Sequence, residues 1–249
     1  RYGDAKFVAM MMAKVICVQM VSLLGFDFLF QDVDIIWYKN PLDYFHNPAS
    51  GMADYDMFVQ DDGGHSVRYA PYSANSGFYF VKSNARTRHF LTSLLMAGDL
   101  VLKTNSHQQA LIALLNEHVS LYGLKAKVLS RDMEEFPGGY QFNQKSGNYM
   151  RSLFAGEIHP IIFHMSWTMN KDNKLLYFKQ MGEWYVQEQC IRKSVMQLTG
   201  DSNNTQHKDV IGMCCSAEPL VSCHYSDKPS VIPCRDSPTI DKGKRKSFW

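Results

Sequence analysis

Several patterns that would assign a protein to a common class are missing from this sequence of 249 residues. The net charge is only +2, and no basic block with interleaved aromatic residues occurs before the last few positions. We therefore expect no nucleic-acid partner. None of the six cysteines forms a Cys-x-x-Cys pair, which argues against a zinc site of the usual spacing. No signal peptide and no internal repeat are evident.

A long uninterrupted apolar run is also missing. The most apolar stretch, residues 7–30, contains Lys14 and Gln19. Its charge-free part has about a dozen residues, whereas a helix that crosses a bilayer needs about 20. We therefore predict a buried helix over residues 5–24, followed by a buried strand over residues 26–30.

The cysteines are distributed unevenly. Cys17 lies in the apolar helix and is predicted to be a free core residue. The other five fall in the last quarter of the chain: Cys190, Cys214, Cys215, Cys223 and Cys234. Together with a glycosylation sequon at residues 203–205, they indicate disulfides formed in an oxidising compartment. Periodicity also fails there, so we predict a core domain over residues 1–192 and a loop-rich tail over residues 193–249.

Strand-like and helix-like segments alternate along the predicted core. This alternation predicts an α/β sandwich with a mostly parallel central sheet. In such sheets, ligands bind at the carboxyl ends of the strands. The predicted strands cover residues 26–30, 54–62, 75–83, 125–130 and 160–166.

Two aspartates, Asp32 and Asp34, interrupt the apolar sequence LFQDVDII directly after the first predicted strand. Burial of two unpaired charges is costly without a cation. On an extended segment they would point to opposite faces, so both serve one ligand only if the backbone turns or a metal lies beyond the strand end. A hard cation such as Mn²⁺ or Mg²⁺ would accept their oxygens and also bind diphosphate. The simpler alternative is a pair of solvated loop caps.

A second group of polar residues follows the last predicted strand. His164 ends that strand and is a plausible third metal ligand, or else a hydrogen-bonded core histidine. Lys171 and Lys174 come shortly after it and could bind phosphate, or else form the solvated start of a helix.

These segments resemble a known family. The quoted stretches are LLGFDFLFQDVDIIWYKNPLDYF, NSGFYFVKSNART, HQQALIALL and FHMSWTMNKDNK, with MGEWYV after them. They look like the nucleotide-diphospho-sugar transferases that include cell-wall xylosyl- and arabinosyltransferases, over residues 5–190. The resemblance implies a GT-A fold, which is Rossmann-like, and a retaining, Mn²⁺-assisted transfer of a hexose or pentose. The donor would be a UDP-sugar and the acceptor a hydroxyl of a glycan or glycoprotein.

The resemblance also assigns roles to single residues. Asp32 and Asp34 match the motif that holds the metal and the donor, and His164 matches the histidine that completes the metal coordination. Lys14 lies where relatives carry a cation that contacts the donor. Asn75, Ser76 and Gly77 match a small-residue turn against the donor sugar, and Lys171 or Lys174 would bind the diphosphate.

The stretch HQQ departs from the family pattern, in which Asp-Gln is usual. His107 replaces the aspartate, and Gln108 (or Gln109 in the alternative register) would lie near the anomeric carbon as a catalytic residue. A front-face route fits a site without an obvious nucleophile. Asp61 and Asp62 could bind acceptor or sugar hydroxyls, although we favour a solvated turn before Gly63.

The resemblance carries further expectations. Residues 1–6 are too few for the strand that normally holds the uracil, so we expect the fold to be incomplete at its N-terminus. We also expect a membrane anchor upstream of this chain and a type II protein in the Golgi lumen. The alternatives are a non-catalytic homologue that binds sugar nucleotide or glycan, and a phosphatase with an Asp-x-Asp nucleophile.

Overall fold

The computed structural model describes residues 4–129, 135–140, 149, 153, 157–168, 171–180, 182–191, 193, 197–198 and 210–220. The chain divides into two compact units. The first contains residues 1–144 and 159–167, and the second contains residues 145–158 and 168–249.

The first unit contains alternating helices and strands. Its described helices are α1 (Ala5–Leu23), α2 (Pro41–Phe45), α3 (Ala85–Met96), α4 (Gly98–Thr104) and α5 (His107–Tyr122). Its described strands are β1 (Phe28–Gln31), β2 (Ile35–Trp37), β3 (Met57–Asp61), β4 (Ala74–Val81), β5 (Ala126–Leu129) and β6 (Ile162–His164). Short 3-10 turns cover Pro48–Ser50, Met52–Asp54 and Val67–Tyr69.

The described strands form a four-stranded sheet in the order β1-β4-β3-β5 and a two-stranded sheet of β2 and β6. The α/β class is confirmed. The larger sheet is mixed, however: β4 is antiparallel to β1 and β3, and only β3 and β5 are parallel. The reason lies in the connections, because residues 62–73, with the 3-10 turn Val67–Tyr69, return the chain directly from β3 to the neighbouring strand β4. The crossover through α3, α4 and α5 is long enough to produce a parallel pair.

Both faces of the four-stranded sheet are covered by apolar side chains. Helices α1, α3, α4 and α5 pack on one face around Val59 and Tyr79. The other face carries an aromatic cluster around Phe58, Phe78 and Phe80. Strand β4 is buried along its whole length, whereas β1 is only partly buried because it forms an edge of the sheet among the described strands.

Helix α1 differs from the fully buried helix that was predicted. Its N-terminus is capped by Asp4, whose side chain accepts a hydrogen bond from the Phe7 amide. One face, which includes Val15, packs into the core, whereas apolar side chains such as Met20 are exposed on the other face. Cys17 is free but exposed, so its predicted place in the core is wrong. By length and composition alone α1 could cross a membrane, a test that core helices of soluble proteins also pass.

The second unit contains α6 (Lys171–Gln180), α7 (Val210–Cys214) and a 3-10 turn at Glu188–Cys190. A disulfide joins Cys190 to Cys214, which confirms one pair of the predicted disulfides, while Cys215 is free. Cys190 and Cys214 lie on opposite sides of the domain boundary predicted after residue 192. That boundary stays a prediction. Cys223, Cys234 and the sequon at residues 203–205 lie outside the described residues.

Candidate metal centre

Asp32, Asp34 and His164 lie together in the first unit. One possible ligand atom from each of them lies within 4.8 Å of the others. Asp34 and His164 are buried, and Asp32 is partly buried. The pairing of β2 with β6 places Ile35 opposite His164, which brings the histidine beside the residue that precedes Ile35.

The chain turns between β1 and β2, and this turn brings the two carboxylates to one side. Val33, between them, is fully exposed, with 103% relative accessibility. The Asp32 amide donates to the Gly77 carbonyl (2.7 Å), and the Asp34 carbonyl accepts from the Met165 amide (2.9 Å). An extended strand would have pointed the carboxylates apart. The backbone turn therefore allows Asp32 and Asp34 to bind the same cation, which the sequence analysis required.

Gln60 holds the ring of His164. The side-chain amide of Gln60 donates to the carbonyls of Phe136 (2.9 Å) and Pro137 (3.2 Å), so its oxygen is left to accept. His164 Nδ1 lies 2.6 Å from that oxygen, which assigns the proton to Nδ1. The other nitrogen, Nε2, lies 3.4 Å from Asp34 Oδ1 and presents its lone pair to the aspartates. This is the tautomer that a metal ligand requires.

Lys14 approaches the centre from α1. Its Nζ donates to Asp32 Oδ1 at 2.5 Å and lies 5.8 Å from the centre of the Phe30 ring. The helix thus supplies a cation to the carboxylate pair, in the place where the family resemblance locates a donor-contacting cation. The predicted contact with a donor stays a prediction.

Gly77 leaves room for the centre. A Cβ atom at this position would lie 2.6 Å from His164 Cε1, 2.9 Å from Asp32 Oδ2 and 2.9 Å from Asn75 Oδ1. Contacts this short are not tolerated, so the close approach of these side chains depends on glycine. The sequence predicts that Gly77 lets the backbone approach a bound substrate. In the structure, the backbone at Gly77 also lies close to the candidate metal ligands Asp32 and His164.

The other predicted donor-binding residues lie next to Gly77. Asn75 donates to Asp62 Oδ1 (2.7 Å) and accepts from the Gly77 amide (2.7 Å). Gln108, in the first turn of α5, accepts through Oε1 from the amide (3.1 Å) and hydroxyl (3.2 Å) of Ser76. The structure therefore brings Asn75, Ser76, Gly77 and Gln108 together, and their roles toward a donor remain predictions.

Asp62 is buried, so the solvated turn that we favoured for it is wrong. Its Oδ2 atom makes no hydrogen bond to any described residue. Burial raises the pKa of the Asp62 carboxyl, while Asn75, Gln108 and His164 act in the opposite direction. Asp61, in contrast, accepts from the Gly63 amide and pairs with His65. Buried polar atoms normally have hydrogen-bond partners, so Asp62 Oδ2 is an exception near the candidate centre.

His107, which replaces the aspartate of the family pattern, lies in the core. Its Nδ1 is 2.9 Å from Met11 Sδ, and its Nε2 has no hydrogen-bond partner in the described part of the chain. Burial and the nearby charge of Lys14 lower the pKa of His107 to about 4, against a smaller opposing effect of the Ser76 backbone. The ring is therefore neutral at physiological pH.

The two predicted phosphate-binding lysines lie in the second unit. Lys171 begins α6, and its side chain lies outside the described residues; Lys174 is half-buried on the same helix. Their role toward a diphosphate stays a prediction.

The residues of the centre fit a divalent cation. Two carboxylates and one imidazole nitrogen converge, and the imidazole is held in the ligating tautomer by Gln60. The mixed oxygen and nitrogen set suits Mn²⁺ better than Mg²⁺, which prefers oxygen alone.

Sequence reasoning missed Gln60 and underestimated Asp62. A signal existed for Gln60, because it is a polar residue inside the apolar strand sequence MFVQD. Asp62 carried no such signal, since it precedes Gly63-Gly64 and looked like part of a loop.

The chain is similar in sequence to known proteins. The model of the nucleotide-diphospho-sugar transferase family matches residues 1–178. A UDP-galactose:fucoside alpha-3-galactosyltransferase of Dictyostelium discoideum is 26% identical over 226 residues, covering 83% of this chain. The chain spans 33% of the length of that relative. The chain thus belongs to the nucleotide-diphospho-sugar transferase family.

Proposed function

We propose that this chain is the sugar-transfer domain of a metal-dependent, retaining glycosyltransferase. It moves a sugar from a UDP-sugar to a hydroxyl of a glycan or glycoprotein. The observation that carries the proposal is the convergence of Asp32, Asp34 and His164, with the buried polar residues Asn75, Ser76 and Asp62 nearby. Family membership supports the nucleotide-sugar donor and the glycan acceptor.

The proposed cation ligands are Asp32, Asp34 and the Nε2 atom of His164. A bound Mn²⁺ or Mg²⁺ supplies Lewis-acid chemistry that offsets the charge of the departing diphosphate. Lys14 orients Asp32 through their ion pair and adds positive charge on the same side.

The donor sugar is proposed to lie against Asn75, Ser76 and Gly77. Asp62 is positioned by Asn75 and offers its unpartnered Oδ2 to a sugar hydroxyl. Asn75 donates a hydrogen bond to Asp62 and accepts one from the Gly77 amide, so it holds the Asp62 carboxylate near Gly77.

The proposed front-face route is supported by the bonding of Gln108. Its amide oxygen already accepts two hydrogen bonds from Ser76, which makes it a poor nucleophile toward the anomeric carbon. The acceptor oxygen therefore forms its bond to the anomeric carbon on the face from which UDP departs. The acceptor proton passes to the leaving diphosphate oxygen, and Gln108 positions the sugar.

The name of the relative suggests the first substrates to test. That protein is named for UDP-galactose and a fucoside. We propose a hexose donor, with UDP-galactose first, and a fucose-bearing acceptor.

The place of action is proposed to be the lumen of the Golgi, with an anchor outside this chain. The disulfide between Cys190 and Cys214 supports an oxidising compartment.

The test is hydrolysis of a panel of UDP-sugars by the full chain, with Mn²⁺ or with a chelator. We expect Mn²⁺-dependent hydrolysis, and we expect Asp34→Asn to reduce it by about two orders of magnitude or more, because a ligand carboxylate is lost. Asp99→Asn, which changes an exposed carboxylate in the first turn of α4, is the matched control and should retain activity.

Two results would contradict the proposal. Undiminished hydrolysis by Asp34→Asn would overturn the metal assignment. Binding of Mn²⁺ and UDP by calorimetry without turnover of any UDP-sugar would replace the transferase with the non-catalytic alternative.

A further inference from the structure

A cleft of about 650 Å³ opens at the end of β3, in the first unit. Asp61 ends that strand and lines the cleft together with His65, Tyr69 and Tyr72. None of these residues belongs to the candidate metal centre or to the proposed donor pocket. The residues of the cleft are therefore distinct from those that the proposed function assigns to the metal and the donor.

The walls of the cleft combine aromatic rings with a carboxylate. Tyr69 and Tyr72 are partly buried and pack against the hydrophobic core, which holds their rings in place. Asp61 Oδ2 lies 2.8 Å from His65 Nε2, and the Asp61 carboxylate also accepts from the Gly63 amide. Fixed rings with apolar faces and a few fixed polar groups characterise a site for a small polar ligand.

The charge of the cleft indicates a neutral ligand. The lining residues that the structure describes include no lysine and no arginine, and Asp61 is already paired with His65. A diphosphate would find no fixed cation there. A saccharide fits instead, because its C–H face can pack on a tyrosine ring while its hydroxyls bind the carboxylate.

Tyr69, which lines the cleft, approaches Asp62 at Gly64. A Cβ atom on Gly64 would lie 3.3 Å from both Asp62 Oδ2 and Tyr69 Cδ2, and 3.0 Å from Trp167 Cζ2. These three groups therefore surround one small space, and only a glycine leaves it open. A ligand on Tyr69 is thus next to the carboxylate that we assign to the donor sugar.

We propose that this cleft is the acceptor site and that it binds a single saccharide unit, packed on Tyr69 and Tyr72 and hydrogen-bonded to Asp61. The inference rests on the proposed function, because an acceptor site has meaning only beside a donor site. It adds the place where the acceptor binds, its contacting residues and its chemical class, a neutral sugar.

The test compares two reactions of the same protein. Hydrolysis of the UDP-sugar by water reports the donor site alone, and transfer to added methyl glycosides, with methyl fucoside first, reports both sites. Tyr72→Ala is expected to raise the KM for the methyl glycoside by about tenfold, which corresponds to the loss of one ring contact. The ratio of transfer to hydrolysis should fall to a similar extent.

A second variant guards against misfolding of the first. Asp61→Asn keeps the size of the side chain and an acceptor for the Gly63 amide, and should raise the same KM by about fivefold because a charged acceptor becomes neutral. Tyr122→Ala removes a half-exposed tyrosine at the far end of α5, away from the cleft, and should leave the KM at the wild-type value.

The outcomes separate this inference from the proposed function. Normal hydrolysis together with an unchanged glycoside KM in both cleft variants would overturn the acceptor site and leave the transferase standing. Hydrolysis without binding of any methyl glycoside by the wild type, measured by saturation-transfer NMR, would also overturn it. Absence of hydrolysis in the wild type would contradict the proposed function itself.

Discussion

Gln60 determines which nitrogen of His164 faces the two aspartates. Its amide group is committed to the carbonyls of Phe136 and Pro137, so only its oxygen can face the imidazole. The residue is completely buried, and water cannot substitute for these bonds without rearrangement. A side chain outside the proposed ligand set thereby sets the tautomer of a candidate metal ligand.

The variant Gln60→Leu tests this role. We expect its Mn²⁺ affinity to fall by about 10- to 100-fold, since the imidazole loses the partner that fixes its tautomer and orientation. Isothermal titration of the folded variant with Mn²⁺ measures the change directly.

The control for Gln60→Leu is Gln19→Leu. Gln19 is also a buried glutamine, and its amide donates to Thr92 Oγ1 (2.8 Å) in the contact between α1 and α3. Both variants lose buried hydrogen bonds, but only the first should lose Mn²⁺ affinity. Equal losses would show that general destabilisation, and not the tautomer, is responsible.

At this scale the sequence predicted the residues that form a local motif. Asp32 and Asp34 are recognisable because two charges interrupt an apolar run, and Gly77 because it begins an aromatic strand. Gln60 and His164 are 104 positions apart in the sequence, and no spacing rule connects them. Their contact depends on the placement of β3 and β6.

Strand β4 combines a regular half with an irregular half. Tyr79 pairs with Val59, but the next pair joins Asn75 to Gln60, so the register shifts and Ser76 to Phe78 are displaced from the β3 ladder. Irregularities of this kind redirect side chains and are common next to functional sites. Here the shift directs Gly77 toward the candidate metal centre.

The variant Gly77→Ala tests the need for this close approach. Its Cβ would overlap His164 and Asp32, so we expect a loss of about 1–3 kcal/mol in the free energy of unfolding through overpacking. Mn²⁺ affinity should fall as well, because the two ligands are forced apart. Chemical denaturation and metal titration measure the two effects.

The matched change is Gly98→Ala at the start of α4. There the new Cβ would meet only the flexible end of Met12, at 3.3 Å. Its stability should stay within about 1 kcal/mol of the wild type or increase, because alanine favours helix. The expectation would be contradicted if Gly77→Ala and Gly98→Ala had the same stability and the same Mn²⁺ affinity. The space around Gly77 would then not be required.

At the scale of elements the sequence predicted where strands and helices lie, but not how strands pair. The predicted segments 54–62 and 125–130 contain β3 and β5, and the segment 75–83 covers β4 except for its first residue, Ala74. Apolar content does not encode strand direction, so the mixed sheet was not foreseen. The exposed face of α1 was not foreseen either, because both of its faces are apolar.

Across the first unit, one helix layer connects the core to the candidate centre. Lys14 on α1 bonds to Asp32, and His107 on α5 packs against Met11 on α1. The layer therefore supplies both a cation for the centre and a buried neutral histidine behind it. Protonation of that histidine affects the stability of the whole unit.

We expect acid to destabilise the unit through His107. In the unfolded chain this histidine titrates near its ordinary pKa of 6.5, whereas burial and Lys14 lower its pKa to about 4 in the folded state. Between these values the unfolded chain binds a proton that the folded chain does not, so the free energy of unfolding falls as the pH drops from 6.5 toward 4. The histidine accounts for a loss of about 2 kcal/mol between about pH 7 and 5.

Urea denaturation at the two pH values measures this effect. His107→Leu removes the titrating group. Between pH 7 and pH 5, the free energy of unfolding of the wild type should therefore decrease by about 2 kcal/mol more than that of the variant. Parallel pH dependence of the two proteins would contradict a buried neutral histidine at this position.

By itself the sequence determined the α/β class, the approximate positions of the strands, and a carboxylate pair that interrupts an apolar run. These properties are local, since they depend on apolar periodicity and on residues that are close in the chain. The tertiary structure decided the direction of the strands, the turn that unites Asp32 with Asp34, the tautomer of His164 and the burial of Asp62. Each of these depends on contacts between residues that are distant in the chain, and such contacts exist only once the sheet and its helix layer have packed.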